Sequence, residues 1–213
     1  MTAMSTTRPS GAPLDLTSLL GTSKAAARIR RAAVEMFAAK GYGATGTREI
    51  AARLDLSPGA VYPHYKTKES LLFAISLEGH HRALESVTSV DDPDLAPSMR
   101  LARSVHSYVH WHASNTALAQ VAQHELGALD AEHFAVIAQL RRQTTAVFRT
   151  IIRAGEDTGT FNTIDVEAAV LAISSLGVDV SRWFPSHTFA DPAVLADRYV
   201  ELVLRMVGAT SPS

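Results

Sequence analysis

The sequence predicts an all-α protein with a small N-terminal helical unit and a larger C-terminal helical bundle. Apolar residues recur at helical spacing between cap residues, glycines and prolines, and no stretch alternates in the manner of a β-strand. Aromatic residues make up only 7% of the chain and alanine is abundant, which favours helices packed closely through small side chains. At 213 residues, the chain is long enough to bury a core in two domains.

The charge distribution separates the same two units. Residues 24–82 contain ten Lys and Arg residues against five Asp and Glu residues, a net charge of +5. Residues 83–213 contain nine basic and fifteen acidic residues, a net charge of −6. Because phosphates attract basic surfaces, this asymmetry predicts a head that binds nucleic acid and an acidic body that stays away from the phosphates.

The first unit begins with an arm and a bracing helix. Residues 1–22 are rich in Thr, Ser, Pro and Gly, which predicts a flexible arm. Ser23 is a suitable helix N-cap, and the apolar stripe that follows it ends at Gly41. Lys24 and Arg28 lie near the start of this helix, where contact with phosphate and a solvated basic face are both open interpretations.

Two short helical patterns follow on either side of a tight turn. Thr45 is predicted to cap the first, and Ser57 to cap the second, with Pro58 at a first helical position that requires no N–H. Val61 and Tyr65 are four residues apart and are expected to face inward. A small, apolar-backed second helix with basic flanks suits a DNA major groove, and the alternative is a helical hairpin that binds nothing.

We therefore predict a helix-turn-helix DNA-binding domain over residues 23–68. Gly59 and Ala60 keep the opening turn of the second helix small and are expected against base edges, and the polar side chains around them are expected on phosphates. The predicted DNA-binding residues are Lys24, Arg28, Thr45, Thr47, Arg48, Ser57, Pro58, Gly59, Ala60, Tyr62, His64, Tyr65, Lys66 and Lys68.

Residues 24–78 closely resemble the DNA-binding domain of the TetR family of repressors. The resemblance implies a homodimer that binds a palindromic operator. Two positions depart from the family pattern: Pro58 replaces a frequent lysine, and Pro63 replaces a polar or aromatic residue, which removes one hydrogen-bond donor. The matching residues are Ala33, Phe37, Gly41-Tyr42, Ala44-Thr45, Arg48-Glu49-Ile50-Ala51, Ser57-Pro58-Gly59-Ala60-Val61-Tyr62, His64-Tyr65 and Lys66-Thr67-Lys68-Glu69-Ser70-Leu71-Leu72.

Residues 69–213 are predicted to form a helical ligand-binding and dimerisation bundle. A helix from Lys68 links it to the head, and Asp91-Asp92-Pro93-Asp94 marks a break after which Pro93 is expected in the first turn of the next helix. The expected helices span about 68–89, 93–115, 116–127, 131–154, 165–184 and 191–207.

Polar residues among the apolar inward faces of this bundle predict a ligand cavity, and the alternative is an ordinary core filled by aromatic side chains. The predicted ligand-binding residues are Tyr108, Trp111, Gln120, His124, Phe134, Phe148, Asp179 and Trp183.

Short motifs in the body resemble a TetR subgroup that senses acyl-CoA thioesters. They are residues 123–129, Arg141-Arg142, Gly155-Glu156 and the segment from Arg182 to Pro185. This resemblance implies a small acyl-CoA-type effector, with Arg141 or Arg142 pairing with its phosphates; a solvated charge pair is the alternative.

Several other classes of site and protein are disfavoured. The chain has no cysteine, no nucleophile elbow and no phosphate-binding loop, so we predict neither an enzyme nor a cofactor. His106 and His110 have metal-ligand spacing and His112 is near, but a third ligand would have to come from elsewhere, such as His80, His81 or His124, and we predict no metal site. No long apolar run or signal sequence is apparent, so we expect no membrane partner and a cytoplasmic protein.

The last two predicted helices carry too much apolar surface for an exposed end of a bundle. Small and apolar residues line one face of the first, and the second is apolar over much of its girth, which predicts a homodimer interface; packing within one chain is the alternative. The sequence as a whole predicts a ligand-responsive transcriptional repressor. The alternative is a helical acyl-thioester carrier or enzyme that has lost DNA binding.

Overall fold

The computed structural model describes residues 23–209, and the predicted all-α fold is confirmed: this part of the chain contains α-helices, one short 3₁₀ helix (Leu126–Ala128) and no β-strand. The predicted arm, residues 1–22, lies outside the described residues. The helices are α1 (Lys24–Lys40), α2 (Thr47–Arg53), α3 (Lys68–Thr88), α4 (Pro97–Ser114), α5 (Thr116–His124), α6 (Ala131–Asp157), α7 (Val166–Trp183) and α8 (Pro192–Met206).

The head packs α1, α2 and the segment 57–65 around one core. Ser23 caps α1 as predicted, because its Oγ accepts a hydrogen bond from the Ala26 amide at 3.0 Å. Gly41 ends the same helix with a φ of 85°, a conformation that favours glycine. The first half of α3 completes this core, whose largest members are Ile29, Phe37, Ile50, Val61, Tyr65, Leu71, Leu72 and Ile75.

The prediction that Thr45 caps α2 was wrong. The N-cap is Gly46, whose amide donates to the Glu49 carboxylate at 3.0 Å. The Thr45 hydroxyl turns inward and donates to the Gly41 carbonyl at 3.0 Å. The buried Thr45 side chain therefore stabilises the loop between α1 and α2.

The segment predicted as the second helix of the turn runs from Pro58 to His64 as consecutive turns rather than a regular α-helix. Its amides bond mostly three residues back, as in Ala60 to Ser57 and Tyr62 to Gly59. Pro63 lacks the N–H that an α-helix would bond to Gly59, and it disfavours helical geometry in the residue before it. The two prolines explain why the segment stays irregular.

The break between α3 and α4 is longer than predicted. Helix α4 begins at Pro97 and not near Pro93 as predicted. The Asp92 side chain accepts a hydrogen bond from the Asp94 amide and forms a turn there instead. Arg100 pairs with Asp91 through two bonds of 2.8 and 3.0 Å and holds the break against the body.

The body surrounds α4, which packs against α3, α6, α7 and α8. Two glycines permit close contacts there. A Cβ on Gly79 of α3 would lie 2.6 Å from the Ala122 Cβ of α5, and a Cβ on Gly177 of α7 would lie 2.4 Å from the Tyr108 ring. The helices therefore approach closely at both points. Within residues 23–209, no helix is long and apolar enough to cross a membrane.

The head and the body share a junction built by α5. Val121 of α5 is buried in the core of the head, and the Glu125 carboxylate that follows accepts from the Tyr42 amide at 3.2 Å. The Lys68 ammonium lies 4.0 Å from the centre of the Tyr42 ring, a cation–π contact. Arg30 of α1 pairs with Glu78 of α3 at 3.0 Å. Helices α5 and α3 therefore contact both the head and the body.

Candidate nucleic-acid interface and ligand cavity

One side of the head carries basic side chains free of intramolecular ion pairs. Lys40 and Arg53 are paired, with Glu49 and Glu35 respectively. Four basic residues of the predicted set, Lys24, Arg28, Arg48 and Lys66, are exposed and form no ion pair with any described residue, and the same holds for Arg31 on α1. Their charge is available to phosphates.

The start of α1 is held beside the end of segment 57–65. The Tyr65 hydroxyl donates to the Ala26 carbonyl at 3.3 Å and accepts from the Arg30 guanidinium at 2.8 Å. The Ser23 hydroxyl lies 3.4 Å from the His64 imidazole. These contacts bring the basic start of α1 next to the exposed turn that was predicted to enter the groove.

Two predicted DNA-binding side chains are buried instead. Thr45 is 1% exposed, because its hydroxyl bonds within the loop, and Tyr65 is 5% exposed, because its ring fills the head core. Lys68 is half-buried with its ammonium over Tyr42, so it stabilises the junction. The remaining predicted residues are at least partly exposed: Thr47, Ser57, Pro58, Gly59, Ala60, Tyr62 and His64, in addition to the four basic residues above.

Replacing Tyr65 by phenylalanine is expected to lower the free energy of unfolding by about 1–2 kcal/mol, because two buried hydrogen-bond partners lose the hydroxyl. Chemical denaturation followed by circular dichroism measures this change. The matched control is Tyr62→Phe, whose ring is 51% exposed and which is expected to leave stability unchanged. Equal effects of the two variants would contradict the structural role of Tyr65.

The body contains a cavity of about 680 Å³ between α3, α4, α5, α6 and α7. This volume lies within the range of small-molecule sites in proteins. Of the predicted ligand-binding residues, Tyr108 and Asp179 line it. The other lining residues are His80, Ala83, Gln123, Arg141, Arg142, Thr144, Thr145, Leu171, Ser174, Ser175, Leu176 and Val178.

The other predicted ligand-binding residues lie outside this lining. Phe148 is fully buried in the body core, and Phe134 is 48% exposed on α6. Trp111 and Trp183 pack against the body core. Gln120 is half-buried and His124 is exposed, both on α5. Phe148, Trp111 and Trp183 therefore fill or flank the body core, whereas Phe134 is exposed.

Two histidines, His80 in the cavity lining and His112 on α4, are buried. The Nδ1 of His80 bonds the Ser76 carbonyl at 2.9 Å, and the Nδ1 of His112 bonds the Tyr108 carbonyl at 2.8 Å. Burial lowers the pKa of each imidazole to about 4. Both rings are therefore neutral at pH 7.

The rim of the cavity is cationic. Arg141 and Arg142 line it, are exposed, and pair with no acidic group among the described residues. Asp179, which also lines the cavity, is bound by Arg182 at 2.8 Å, and this bond lowers its pKa. Burial raises the pKa of Tyr108. The cavity thus has two unpaired guanidinium groups at its rim and neutral polar and apolar side chains along its walls.

The histidines of α4 do not converge on a common point. His106 and His110 stack with ring centres 6.0 Å apart beside a second, more open cleft, whereas His112 is buried against Tyr108. A different acid–histidine cluster links α3 to α6: the His133 Nδ1 lies 2.8 Å from Glu69 and 3.2 Å from Asp130. These contacts, and stacking of His133 on Phe73 at 3.7 Å, tie the start of α3 to the body.

Comparisons with known proteins place both units in one family. Residues 29–75 match the family model described as bacterial regulatory proteins, tetR family. Residues 94–207, more than half of the chain, match the model of the tetracyclin repressor-like C-terminal domain. The two matches correspond to the head and to most of the body.

Individual proteins agree with these matches. A TetR-family regulatory protein from Rhodococcus RHA1, solved by crystallography, is 66% identical with a TM-score of 0.87, covering 89% of this chain and all of that one. The transcriptional repressor KstR2 of Rhodococcus jostii is 29% identical over 94% of this chain and 97% of its own length. AibR, solved with isovaleryl coenzyme A and operator DNA, is 20% identical with a TM-score of 0.77 over 88% of this chain and all of its own, and shares the fold. The chain therefore belongs to the TetR family of bacterial transcriptional regulators.

Proposed function

We propose that this regulator is a repressor that binds a palindromic operator as a homodimer and is released by an amphipathic anion, of the acyl-CoA type, bound in the body cavity. One observation carries the proposal. Helix α5 lines the cavity with Gln123 and buries Val121, two residues earlier, in the core of the head. A ligand that displaces α5 therefore displaces the DNA-binding unit.

DNA contact is assigned to the exposed side of the head. Lys24 and Arg28 on α1, Arg48 on α2 and Lys66 after the turn segment carry the charges that bind phosphates. The tip at Pro58-Gly59-Ala60 has only small side chains, which permits close approach to base edges, with Tyr62 and His64 beside the backbone. This assignment retains the predicted set except for Thr45, Tyr65 and Lys68.

The effector class follows from the charges and volume of the cavity. Arg141 and Arg142 suit phosphate or carboxylate groups because guanidinium forks bind such oxygens in pairs. Ala83, Val178 and the ring of Tyr108 supply apolar walls for an acyl or similar group. AibR, whose fold this chain shares, was solved with isovaleryl coenzyme A, a molecule of this chemistry.

The homodimer is assigned to the outer faces of α7 and α8. Leu171 and Leu176 on α7 are 64% and 40% exposed, and Val194 and Leu202 on α8 are 48% and 55% exposed. Large apolar side chains at this exposure indicate a partner surface. Pairing about a two-fold axis presents two heads to two half-sites of a palindrome.

Replacing Lys66 by alanine is expected to weaken binding to every DNA sequence alike and to reduce the dependence of log affinity on log salt by about 0.9 for each protomer. A titration of a palindromic operator between low and moderate salt measures the slope. Arg53→Ala is the matched control, since Arg53 already pairs with Glu35 and is expected to keep the slope. Lys66 makes no phosphate contact if the two slopes agree.

The whole proposal is tested by reciprocal linkage. A tenfold loss of operator affinity on adding decanoyl-CoA corresponds to about 1.4 kcal/mol of coupling, and saturating operator must then weaken decanoyl-CoA binding by the same factor. Calorimetry with and without operator measures this second effect. Equal affinities would show that the cavity and the head are uncoupled and would refute the effector model.

A variant of the junction tests the route of the coupling. Glu125→Ala removes the acceptor of the Tyr42 amide and is expected to reduce the coupling factor without changing effector affinity. Glu132→Ala, in the exposed first turn of α6, is the control.

Absence of salt-dependent DNA binding in the unmodified protein would instead favour an acyl-thioester carrier or enzyme with an inactive head.

A further inference from the structure

The wall of the cavity between α3 and α5 contains polar atoms without partners. The Nε2 of His80 and the Oε1 of Gln123 are buried, line the cavity and accept no hydrogen bond from any described residue. The Nε2 of His112 and the hydroxyls of Ser76 and Ser104, on the neighbouring α4 and α3, are also buried without a hydrogen-bond partner. Buried polar groups are nearly always paired, so a cluster of this kind points to a bound polar group.

The hydrogen-bonding character of this wall can be derived from its bonds. A backbone carbonyl only accepts, so the Nδ1 of His80, bonded to the Ser76 carbonyl at 2.9 Å, carries the proton. In a neutral imidazole the Nε2 then has a lone pair and no proton. His112 is held in the same tautomer by the Tyr108 carbonyl at 2.8 Å. Both imidazoles therefore offer acceptors.

The side chains nearest to His80 leave that acceptor open. Gln123 lies beside the imidazole, but its Oε1 and the unprotonated Nε2 of His80 are both acceptors, so the oxygen cannot supply the proton that the nitrogen lacks. The positive charge of Arg141 at the rim also acts on His80 and lowers its pKa. A buried acceptor that gains a donor is stabilised, whereas an apolar group placed against it leaves it unpaired.

We infer that the cavity is specific for an effector that carries a hydrogen-bond donor, a hydroxyl group, within its apolar part. The acceptors of His80 and Gln123 share the single proton of this hydroxyl in a three-centre hydrogen bond, while Arg141 and Arg142 hold the anionic end. This inference rests on the proposed function and narrows its effector to hydroxylated amphipathic anions. Sites built to bind a hydroxyl group discriminate strongly against analogues that lack it.

The test compares three acyl groups that differ at one position. The probes are 10-hydroxydecanoyl-CoA, decanoyl-CoA and 10-methoxydecanoyl-CoA, each also as the free acid, with affinities measured by calorimetry. The hydroxylated probe is expected to bind at least tenfold more tightly than the unsubstituted one, and the methoxy probe, which accepts but cannot donate, no better than the unsubstituted one. The free acids show whether the carboxylate suffices at the rim.

Variants assign the preference to residues. His80→Phe and Gln123→Leu are each expected to reduce the preference to about twofold or less, through weaker binding of the hydroxylated probe. Thr145→Val is the matched control, because Thr145 lines the cavity but its hydroxyl already bonds the Arg142 carbonyl at 3.0 Å. In the absence of probe, Gln123→Leu is expected to unfold at the same temperature as the unmodified protein. A purely structural role of Gln123 would instead lower that temperature.

The outcomes distinguish this inference from the proposed function. Equal affinity for the three probes, a preference for the unsubstituted probe, or no binding of any probe would overturn it. If decanoyl-CoA releases operator DNA as well as the hydroxylated probe does, the repressor function stands and the hydroxyl specificity falls. If the protein prefers the hydroxylated probe but fails to bind operator DNA, the specificity stands and the repressor function falls.

Discussion

Leu202→Glu is expected to convert the protein from dimer to monomer in the micromolar range. The side chain is 55% exposed on α8, and the proposed two-fold interface would bury it in both protomers, so each dimer would contain two unpaired carboxylates in an apolar seam. A penalty of about 3 kcal/mol or more weakens association more than about 100-fold. Sedimentation velocity over a concentration series measures the change.

The same variant is expected to lose operator affinity, because a monomer engages only one half-site at a time. Met99→Glu is the matched control: Met99 is 54% exposed in the first turn of α4 and lies on neither of the two helices assigned to the interface. That variant is expected to stay dimeric and to bind the operator. If Leu202→Glu remains a dimer at low concentration, the interface lies on another surface.

Acid is expected to destabilise the protein steeply between about pH 6.5 and pH 4. Burial lowers the pKa of His80 and of His112 to about 4, whereas both titrate near 6.5 in the unfolded chain. Within this window the unfolded state binds more protons, so stability falls as pH falls. Each histidine lowers the free energy of unfolding by up to about 1.4 kcal/mol for each unit that the pH falls. The loss ends once the imidazole is protonated in the folded protein as well.

Denaturant titrations at a series of pH values measure this dependence. His80→Phe is expected to remove roughly half of the loss between pH 6 and pH 5, because one of the two imidazoles no longer titrates. His187→Ala, at an exposed position before α8, is the control and is expected to keep the full dependence. An unchanged slope in His80→Phe would show that another group titrates in this range.

Helix ends were predicted well where a side chain caps the helix within a few residues. Asp165 and Asp191 begin α7 and α8 as expected, each accepting from an amide two or three residues ahead. Such caps are local and can be recognised in the sequence. Pro93 and Pro97 are equally good first residues, and the choice between them depends on the turn at Asp92 and on packing of Arg100.

The cavity shows the limit of this approach. Helical spacing predicts that Tyr108 and Phe148 face inward, and both are buried. It contains no information on whether the space beside an inward residue is filled, because that depends on how five helices meet. His80 and Gln123 became site residues only when α3 and α5 were placed side by side, whereas the resemblance had already indicated Arg141 or Arg142 as a phosphate contact.

The close contact at Gly79 has a mechanical consequence. Helix α3 is about 31 Å long at 1.5 Å per residue, and Gly79 lies near its middle, about 16 Å from Lys68 and about 14 Å from Thr88. At this point the backbone of α3 rests on the Cβ of Ala122 of α5, and Gly79 places no side chain of its own between the two helices, so the contact can act as a pivot. A stiff rod pivoting near its midpoint moves its two ends by nearly equal distances in opposite directions. If α3 pivots at this contact, the head of each protomer moves by about as much as the body end of α3, without amplification, and in a symmetric pair the separation of the two heads changes by up to twice that distance.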